Sequence, residues 1–122
     1  MGADVAERIV WAEGDLATWS AEPGSYDLVV CLYVHVAGSV DEMVRRMASG
    51  VARGGTLFMV GHRPVDPATG AATAAAGQVQ VSAAAAIAAL EPRAWEMVVA
   101  EERPRAAAGS GVDAVIRARR LS

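Results

Sequence analysis

The chain has 122 residues, of which 53% are hydrophobic, and a formal net charge of −3. This length suits one domain with one core, and the weak negative charge argues against nucleic-acid binding. No apolar run reaches the roughly 20 residues that cross a bilayer, and residues 1–10 lack the apolar stretch of a signal peptide. The single cysteine, Cys31, excludes an internal disulfide. We therefore expect a cytoplasmic protein of one domain, 1–122, that binds neither nucleic acid nor membrane.

The longest strand signal lies in the first third of the chain. Residues 9–13 predict a short strand that ends in Gly14-Asp15-Leu16, and residues 25–36 form a longer apolar run. Because this run does not alternate, we expect a strand buried on both faces, as in a parallel sheet covered by helices. The run leads through Tyr33 to His35. Ligands of open α/β sheets bind at the carboxyl ends of the strands, so this end is the expected place for chemistry.

A helix and a second buried strand follow. Ser39 is a good N-cap, and Glu42 three residues later completes a capping box. Apolar residues then recur at helical spacing, and the Gly54-Gly55 pair is predicted to end the helix. Residues 56–62 read as a buried strand, which makes a βαβ unit with a right-handed crossover.

The last third predicts a loop, a helix and a hairpin. Residues 63–80 contain several helix breakers and predict an irregular segment of the kind that forms lids or binding loops. Ser82 caps an alanine-rich helix over residues 83–90. Two apolar runs, 95–102 and 112–119, are separated by a Gly-Ser-Gly turn, so we expect them to pair as antiparallel strands.

The segment Tyr26-Asp27-Leu28-Val29-Val30, followed closely by a histidine, resembles the fourth strand of class I S-adenosylmethionine-dependent methyltransferases. That family orders its strands 3-2-1-4-5-7-6, and only the seventh is antiparallel. On this resemblance, residues 9–13 match the third strand, 26–33 the fourth, 56–62 the fifth and the final hairpin the sixth and seventh. The implied fold is α/β: a partial Rossmann-like methyltransferase sheet of parallel strands with flanking helices and a carboxyl-terminal antiparallel hairpin.

The resemblance implies S-adenosylmethionine as the cofactor. Asp15 would accept a hydrogen bond from the adenine amino group and Leu16 would pack on the ring. The methionine end would be lined by Cys31, Leu32 and Tyr33, largely through their backbone. Trp19 is close enough in sequence to flank the adenine. A polar loop for Asp15 and simple core packing for the strand residues remain the alternatives.

Two histidines are the candidate catalytic residues. His35 and His62 both follow sheet strands at the carboxyl edge, so they would face one pocket and a small-molecule acceptor. A neutral imidazole can orient a nucleophile or take its proton. A hydrogen-bonded structural role is the alternative for each, and no third residue stands at a spacing that supports a metal site.

The sequence has no counterpart of the family's glycine-rich cofactor turn. Its Gly-x-Gly, at 109–111, enters a strand rather than a helix and cannot substitute. The family's first two strands are also absent before residue 9, so the strand at 26–33 would present an apolar edge. Residues 9–13 could shift to pair with it, a second copy or a partner chain could cover it, or the sequence is a truncated product or begins at a late start codon.

The sequence is compatible with two functions. One is methyl transfer to a small-molecule acceptor by a truncated or incomplete methyltransferase domain. The other is a non-catalytic module that associates through its exposed sheet edge. A nucleotide-binding domain of another α/β family fits the terminal hairpin poorly. The bare edge predicts that the isolated chain dimerises or aggregates.

Overall fold

The computed structural model of the chain describes residues 3–16, 18–34, 39–63, 80–104 and 111–122. None of the helices in these ranges is long and apolar enough to cross a membrane. The elements in chain order are helix α1 (Ala3–Glu7), strand β1 (Tyr26–Leu32), helix α2 (Val40–Ser49), strand β2 (Val51–His62), helix α3 (Ala83–Ala89), strand β3 (Trp95–Pro104) and strand β4 (Val112–Arg120).

The strands form one mixed sheet in the order β1-β2-β4-β3. β1 and β2 are parallel, whereas β4 runs antiparallel to both of its neighbours. These are the order and directions expected for strands 4-5-7-6 of the methyltransferase sheet. The partial α/β sheet and its carboxyl-terminal antiparallel hairpin are therefore confirmed.

The core lies between one face of the sheet and helices α2 and α3. Leu57, Met59 and Ile116, from β2 and β4, are fully buried in one cluster with Met43 and Val44 of α2. Full burial of a side chain of this size stabilises the fold by roughly 1.5–3 kcal/mol. The middles of β2 and β4 are thus firmly held, and their adjacent ends can position side chains.

Helix α2 ends earlier than the sequence predicts. Ser39 caps its start, with the hydroxyl accepting from a backbone N–H at 3.3 Å. The helix stops at Ser49, before the glycine pair expected to end it, and Val51 already belongs to β2. Gly50 allows Ala21, in the loop before β1, to pack closely against this turn, because an added Cβ would lie 2.6 Å from the Cβ of Ala21.

Residues 9–13 do not form a strand. They have no regular secondary structure, and the side chains of Val10 and Trp11 are 90% and 85% exposed. A short apolar run becomes a strand only when a sheet edge pairs with it, and none of the described strands does so. The predicted third strand and its proposed shift onto β1 are therefore both wrong, and helix α1 was not anticipated.

β1 is buried on one face only. Val29 and Cys31 pack toward the core, whereas Leu28, Val30 and Leu32 on the other face are 58%, 48% and 49% exposed. The prediction of a strand buried on both faces is wrong for β1, because the described helices cover only the core face. Within the described ranges, no strand pairs with its outer edge.

Candidate functional site

Three polar or aromatic side chains meet where β1 and β2 end and β4 begins. Tyr33 directly follows β1, His62 is the last residue of β2, and Asp113 lies near the start of β4. His62 and Asp113 stand opposite each other in the antiparallel register. Opposite residues of such a pair project from the same face, with Cβ atoms about 4.5–5.5 Å apart. The pairing of the two strands therefore creates the contact.

The carboxylate of Asp113 bridges the other two side chains. The Tyr33 hydroxyl donates to Oδ2 at 3.0 Å, and Nδ1 of His62 lies 3.1 Å from Oδ1. Because an ionised carboxylate only accepts hydrogen bonds, Nδ1 carries the proton in this contact. A neutral His62 ring then has its lone pair on Nε2. We call these three residues the Tyr33–Asp113–His62 cluster.

The rings of Tyr33 and His62 are stacked. Their centroids are 4.3 Å apart and their planes differ by 28°. Tyr33 has a φ of 55°, a left-handed conformation that is uncommon for an aromatic residue. Its backbone N–H donates to the carbonyl of Val60 at 2.7 Å. The chain thus turns sharply after β1 and brings the phenol ring over the imidazole, and strained backbone of this kind concentrates at functional sites.

Further polar residues hold the strand end at His62. Gln80 is only 6% exposed, and its Oε1 accepts from the His62 backbone N–H at 2.6 Å. The N–H of Arg63 donates to the carbonyl of Val112 at 2.9 Å. The Arg63 guanidinium lies 3.3 Å from a carboxylate oxygen of Glu102. These contacts fix the backbone on both sides of the imidazole.

An apolar groove of 370 Å³ runs along the outer edge of β1. Leu16 and Trp19, which precede the strand, form one wall, and Cys31 and Leu32 belong to the other. We call this cavity the β1 groove. Its described lining contains no charged side chain, so it suits the flat apolar surface of an aromatic ring better than a charged group.

A turn at Asp15 holds the first wall of the β1 groove in place. The carbonyl of Asp15 accepts from the N–H of Trp19 at 2.7 Å, and the carbonyl of Leu16 accepts from the Arg46 guanidinium at 3.1 Å. The loop before β1 is therefore tied to helix α2. This is how a segment without regular structure keeps Leu16 and Trp19 beside the strand.

Cys31 fills space between the groove and the core. It is buried, and its Sγ lies 4.0 Å from Sδ of Met43. Burial raises the pKa of the Cys31 thiol, because a thiolate would lose its hydration. The side chain is therefore a protonated packing group rather than a nucleophile.

The predicted cofactor residues fall into two places. Leu16, Cys31 and Leu32 line the β1 groove, whereas Tyr33 contributes its ring to the cluster with His62. Asp15 forms the adjoining turn and does not appear in the groove lining. Their roles in binding a cofactor stay predictions.

Of the predicted catalytic pair, only one member can be placed. His62 sits in the cluster at the carboxyl end of β2, as expected from its position after a buried strand. His35 lies outside the described residues, so the expectation that both histidines face one pocket stays a prediction.

Sequence reasoning missed Asp113 and Gln80. In the sequence, Asp113 is a single acidic residue in the last predicted strand, and its role depends on the register that places it opposite His62. Aligning the last strand with residues 56–62, residue by residue, would reveal this pair. Gln80 lies at the end of an irregular segment, where no periodicity points to a partner.

No protein-family model matches the sequence, and no curated protein matches it. Solved structures do match. The N-methyltransferase NodS from Bradyrhizobium japonicum, crystallised with S-adenosyl-L-homocysteine, gives a TM-score of 0.63 at 19% identity, over 98% of this chain and 59% of its own. An S-adenosylmethionine-dependent methyltransferase from Mesorhizobium loti gives 0.61 at 17%, over 88% and 68%. The 4+2 cyclase SpnF gives 0.67 at 12%, over 97% and 58%.

These similarities concern the fold, since each identity is below 20%. The chain spans between 58% and 68% of the length of these structures. One of them is named as a cyclase, so the shared fold does not by itself specify the reaction. Together with the strand order β1-β2-β4-β3, the matches identify the architecture: the chain has part of the class I methyltransferase fold.

Proposed function

We propose that this chain takes part in methyl transfer from S-adenosylmethionine to a small-molecule acceptor. The supporting observation is that the β1 groove and the Tyr33–Asp113–His62 cluster lie on adjacent strands of a methyltransferase-type sheet. Ligands of open α/β sheets bind at the carboxyl ends of the strands, where the cluster lies. The groove offers apolar walls to an adenine ring, and the cluster offers polar groups to an acceptor.

The described residues fit one part of this cofactor. Leu16 and Trp19 present apolar and aromatic surface to the adenine, and Asp15 stands in the adjoining turn. Among the described residues, the groove lining holds no charged group for the ribose hydroxyls or the amino-acid end. We infer that the described residues form only part of the cofactor site and that other residues supply the remaining contacts.

When bound, S-adenosylmethionine would supply a methyl group already activated by its sulfonium. The chain's task would then be mainly to hold the acceptor in line with that group. Tyr33 and His62 offer a stacked, polar surface for this purpose at the carboxyl ends of β1 and β2. Because the cofactor activates the methyl group and the chain positions the acceptor, the protein does not need to supply a charged nucleophile.

Calorimetric titration with S-adenosylhomocysteine tests cofactor binding. We expect saturable heat with the wild-type chain and weaker binding with Asp15→Ala, because the carboxylate is the proposed acceptor for the adenine amino group. Glu13→Ala, an exposed acidic residue two positions earlier, is the matched control and should bind like wild type. No heat from a folded sample would refute binding by this chain alone.

A second candidate function is non-catalytic association through the sheet edge. It is favoured by the exposed apolar row of Leu28, Val30 and Leu32 on a strand whose outer edge pairs with no described strand. Two such edges can pair antiparallel around a two-fold axis, so the proposed partner is a second copy of this chain.

Sedimentation of charge variants tests this candidate. Val30→Lys should convert a dimer into a monomer, because it places a charge in the proposed interface. Val98→Lys, at a comparably exposed position on the opposite edge strand β3, should leave the dimer intact. A monomeric wild-type chain with a cooperative melt would contradict the dimer.

A further inference from the structure

We propose that Asp113 is a positioning residue that fixes His62 as a proton acceptor, and that the methyl acceptor of this site therefore carries a proton on its nucleophilic atom. The chemical class is a small molecule with a weakly acidic O–H, S–H or N–H group. This inference rests on the proposed methyl transfer and adds a substrate class and a residue role to it.

The first step of the argument is the proton on Nδ1. Both oxygens of Asp113 are engaged, one 3.1 Å from Nδ1 of His62 and the other 3.0 Å from the Tyr33 hydroxyl. The carboxylate cannot rotate without losing one of these bonds, and its side chain is only 13% exposed. Because it accepts and does not donate, it selects the tautomer with the proton on Nδ1 and the lone pair on Nε2.

The second step is the orientation of the ring. Stacking on Tyr33 at 4.3 Å fixes the plane of the imidazole, and the bond to Asp113 fixes its direction within that plane. The backbone of the same residue is held by Oε1 of the buried Gln80. Two contacts therefore restrain the imidazole and a third restrains its backbone, which is the support that a catalytic base requires.

The third step is access from the cofactor side. Val60 is paired with Leu32, a lining residue of the β1 groove, and His62 projects from the same face of β2 as Val60, two residues further on. The His62 side chain is 27% exposed. A molecule held beside the carboxyl end of β1 would therefore lie on the same face of the sheet as the imidazole.

The proposed chemistry balances. The nucleophilic atom of the acceptor forms a bond to the methyl carbon while the carbon–sulfur bond of the sulfonium breaks and its electron pair remains on sulfur. The acceptor's proton moves to Nε2, and the resulting imidazolium keeps its Nδ1–H directed at Asp113. One positive charge thus passes from sulfonium to imidazolium. A positioned base of this kind accelerates proton transfer by typically about 100- to 10,000-fold.

A purely structural cluster would give the same tautomer, because the contact between Asp113 and His62 is the same in both cases. It would, however, leave methylation by a chain that binds the cofactor independent of His62. A spectroscopic measurement of the tautomer therefore tests the geometric premise without the cofactor or a known acceptor, and the dependence of methylation on His62 separates a catalytic from a structural role. The chain has two histidines, so His35→Gln leaves one imidazole to assign.

The experiment is nitrogen-15 NMR of the His62 ring at neutral pH, in the His35→Gln background. We expect protonated Nδ1 and unprotonated Nε2. In Asp113→Ala no acceptor selects the tautomer, so the share of Nε2–H should rise, and Asp113→Glu should partly restore Nδ1–H. Tyr33→Phe keeps the ring and removes the hydroxyl, so it should retain the tautomer and check that the fold survives. An Nε2–H tautomer in the parent, or an unchanged tautomer in Asp113→Ala, would overturn the inference.

Titration of the same samples with S-adenosylhomocysteine separates this inference from the proposed function. Binding with the wrong tautomer refutes only the role of Asp113, and the expected tautomer without binding refutes only the cofactor proposal. With S-adenosylmethionine present, we expect methylation of phenol or thiophenol that falls about 100-fold or more in His62→Asn. Preference for N,N-dimethylaniline, which has no proton to lose, or no methylation by a chain that binds the cofactor, would contradict the acceptor class.

Discussion

Nδ1 of His62 lies 3.1 Å from Oδ1 of Asp113, although the two residues are 51 positions apart in the chain. The contact exists because β2 and β4 are adjacent and antiparallel, so the last residue of one strand faces an early residue of the other. The same carboxylate holds the Tyr33 hydroxyl, which joins β1 to the pair. The reversed final strand of this sheet thus contributes directly to the candidate site.

Loss of the Asp113 carboxylate should destabilise the fold. Asp113→Ala removes the acceptor for two donors, and we expect the free energy of unfolding to fall by about 1–3 kcal/mol. Asp27→Ala, which removes an exposed carboxylate on β1, should change it by less than about 0.5 kcal/mol. Urea denaturation followed by circular dichroism measures both values. Equal effects would show that Asp113 is not a structural centre.

Two leucines of similar sequence context should respond very differently to truncation. Leu57 is fully buried and pairs with β1, so Leu57→Ala should cost about 2–5 kcal/mol of unfolding free energy. Leu28 is 58% exposed on the opposite face, and Leu28→Ala should have a small effect. Thermal or urea melts of dilute samples give the comparison. A large cost for Leu28→Ala would mean that its face is covered.

The thiol of Cys31 should be unreactive in the folded chain. Its pKa is raised by burial, so at neutral pH it is protonated and shielded, and Ellman's reagent should react with it much more slowly than in urea. Fast reaction without denaturant would refute its placement in the core.

The same shift has a consequence for stability. The pKa of Cys31 is higher in the folded than in the unfolded chain, so its contribution is constant at low pH and decreases once the pH passes the ordinary thiol pKa. Cys31→Ala should remove this part of the alkaline destabilisation. Unfolding free energies of wild type and variant, measured across the alkaline range, test the sign. A difference that does not depend on pH would contradict it.

Much of the sheet could be predicted because its signals are local. The caps Ser39 and Ser82 mark helix starts, and their hydroxyls accept from the expected backbone N–H groups. The apolar runs predicted the strands that are buried in the core, and the turn between the last two predicted their antiparallel pairing. These features depend on neighbours within a few residues, which a single sequence displays.

The wrong and missed predictions have a different cause, because each depends on contacts between residues that are distant in the sequence. Val10 and Trp11 have a strand-like sequence, but none of the described strands accepts them as a partner. Leu28 is as apolar as a core residue, yet no described helix covers it. Asp113 becomes part of the site only because the strand register places it opposite His62. Periodicity reports which residues prefer burial, and it does not report which neighbours are present.

The most direct test of the cofactor proposal is an NMR titration with S-adenosylhomocysteine, followed through the indole N–H signals of the three tryptophans. Trp19 lines the β1 groove, Trp95 lines a separate cavity, and Trp11 is exposed. We predict a saturable shift of the Trp19 signal while the signals of Trp11 and Trp95 stay in place. An unchanged Trp19 signal, or an equal shift of Trp95, would contradict binding in the β1 groove.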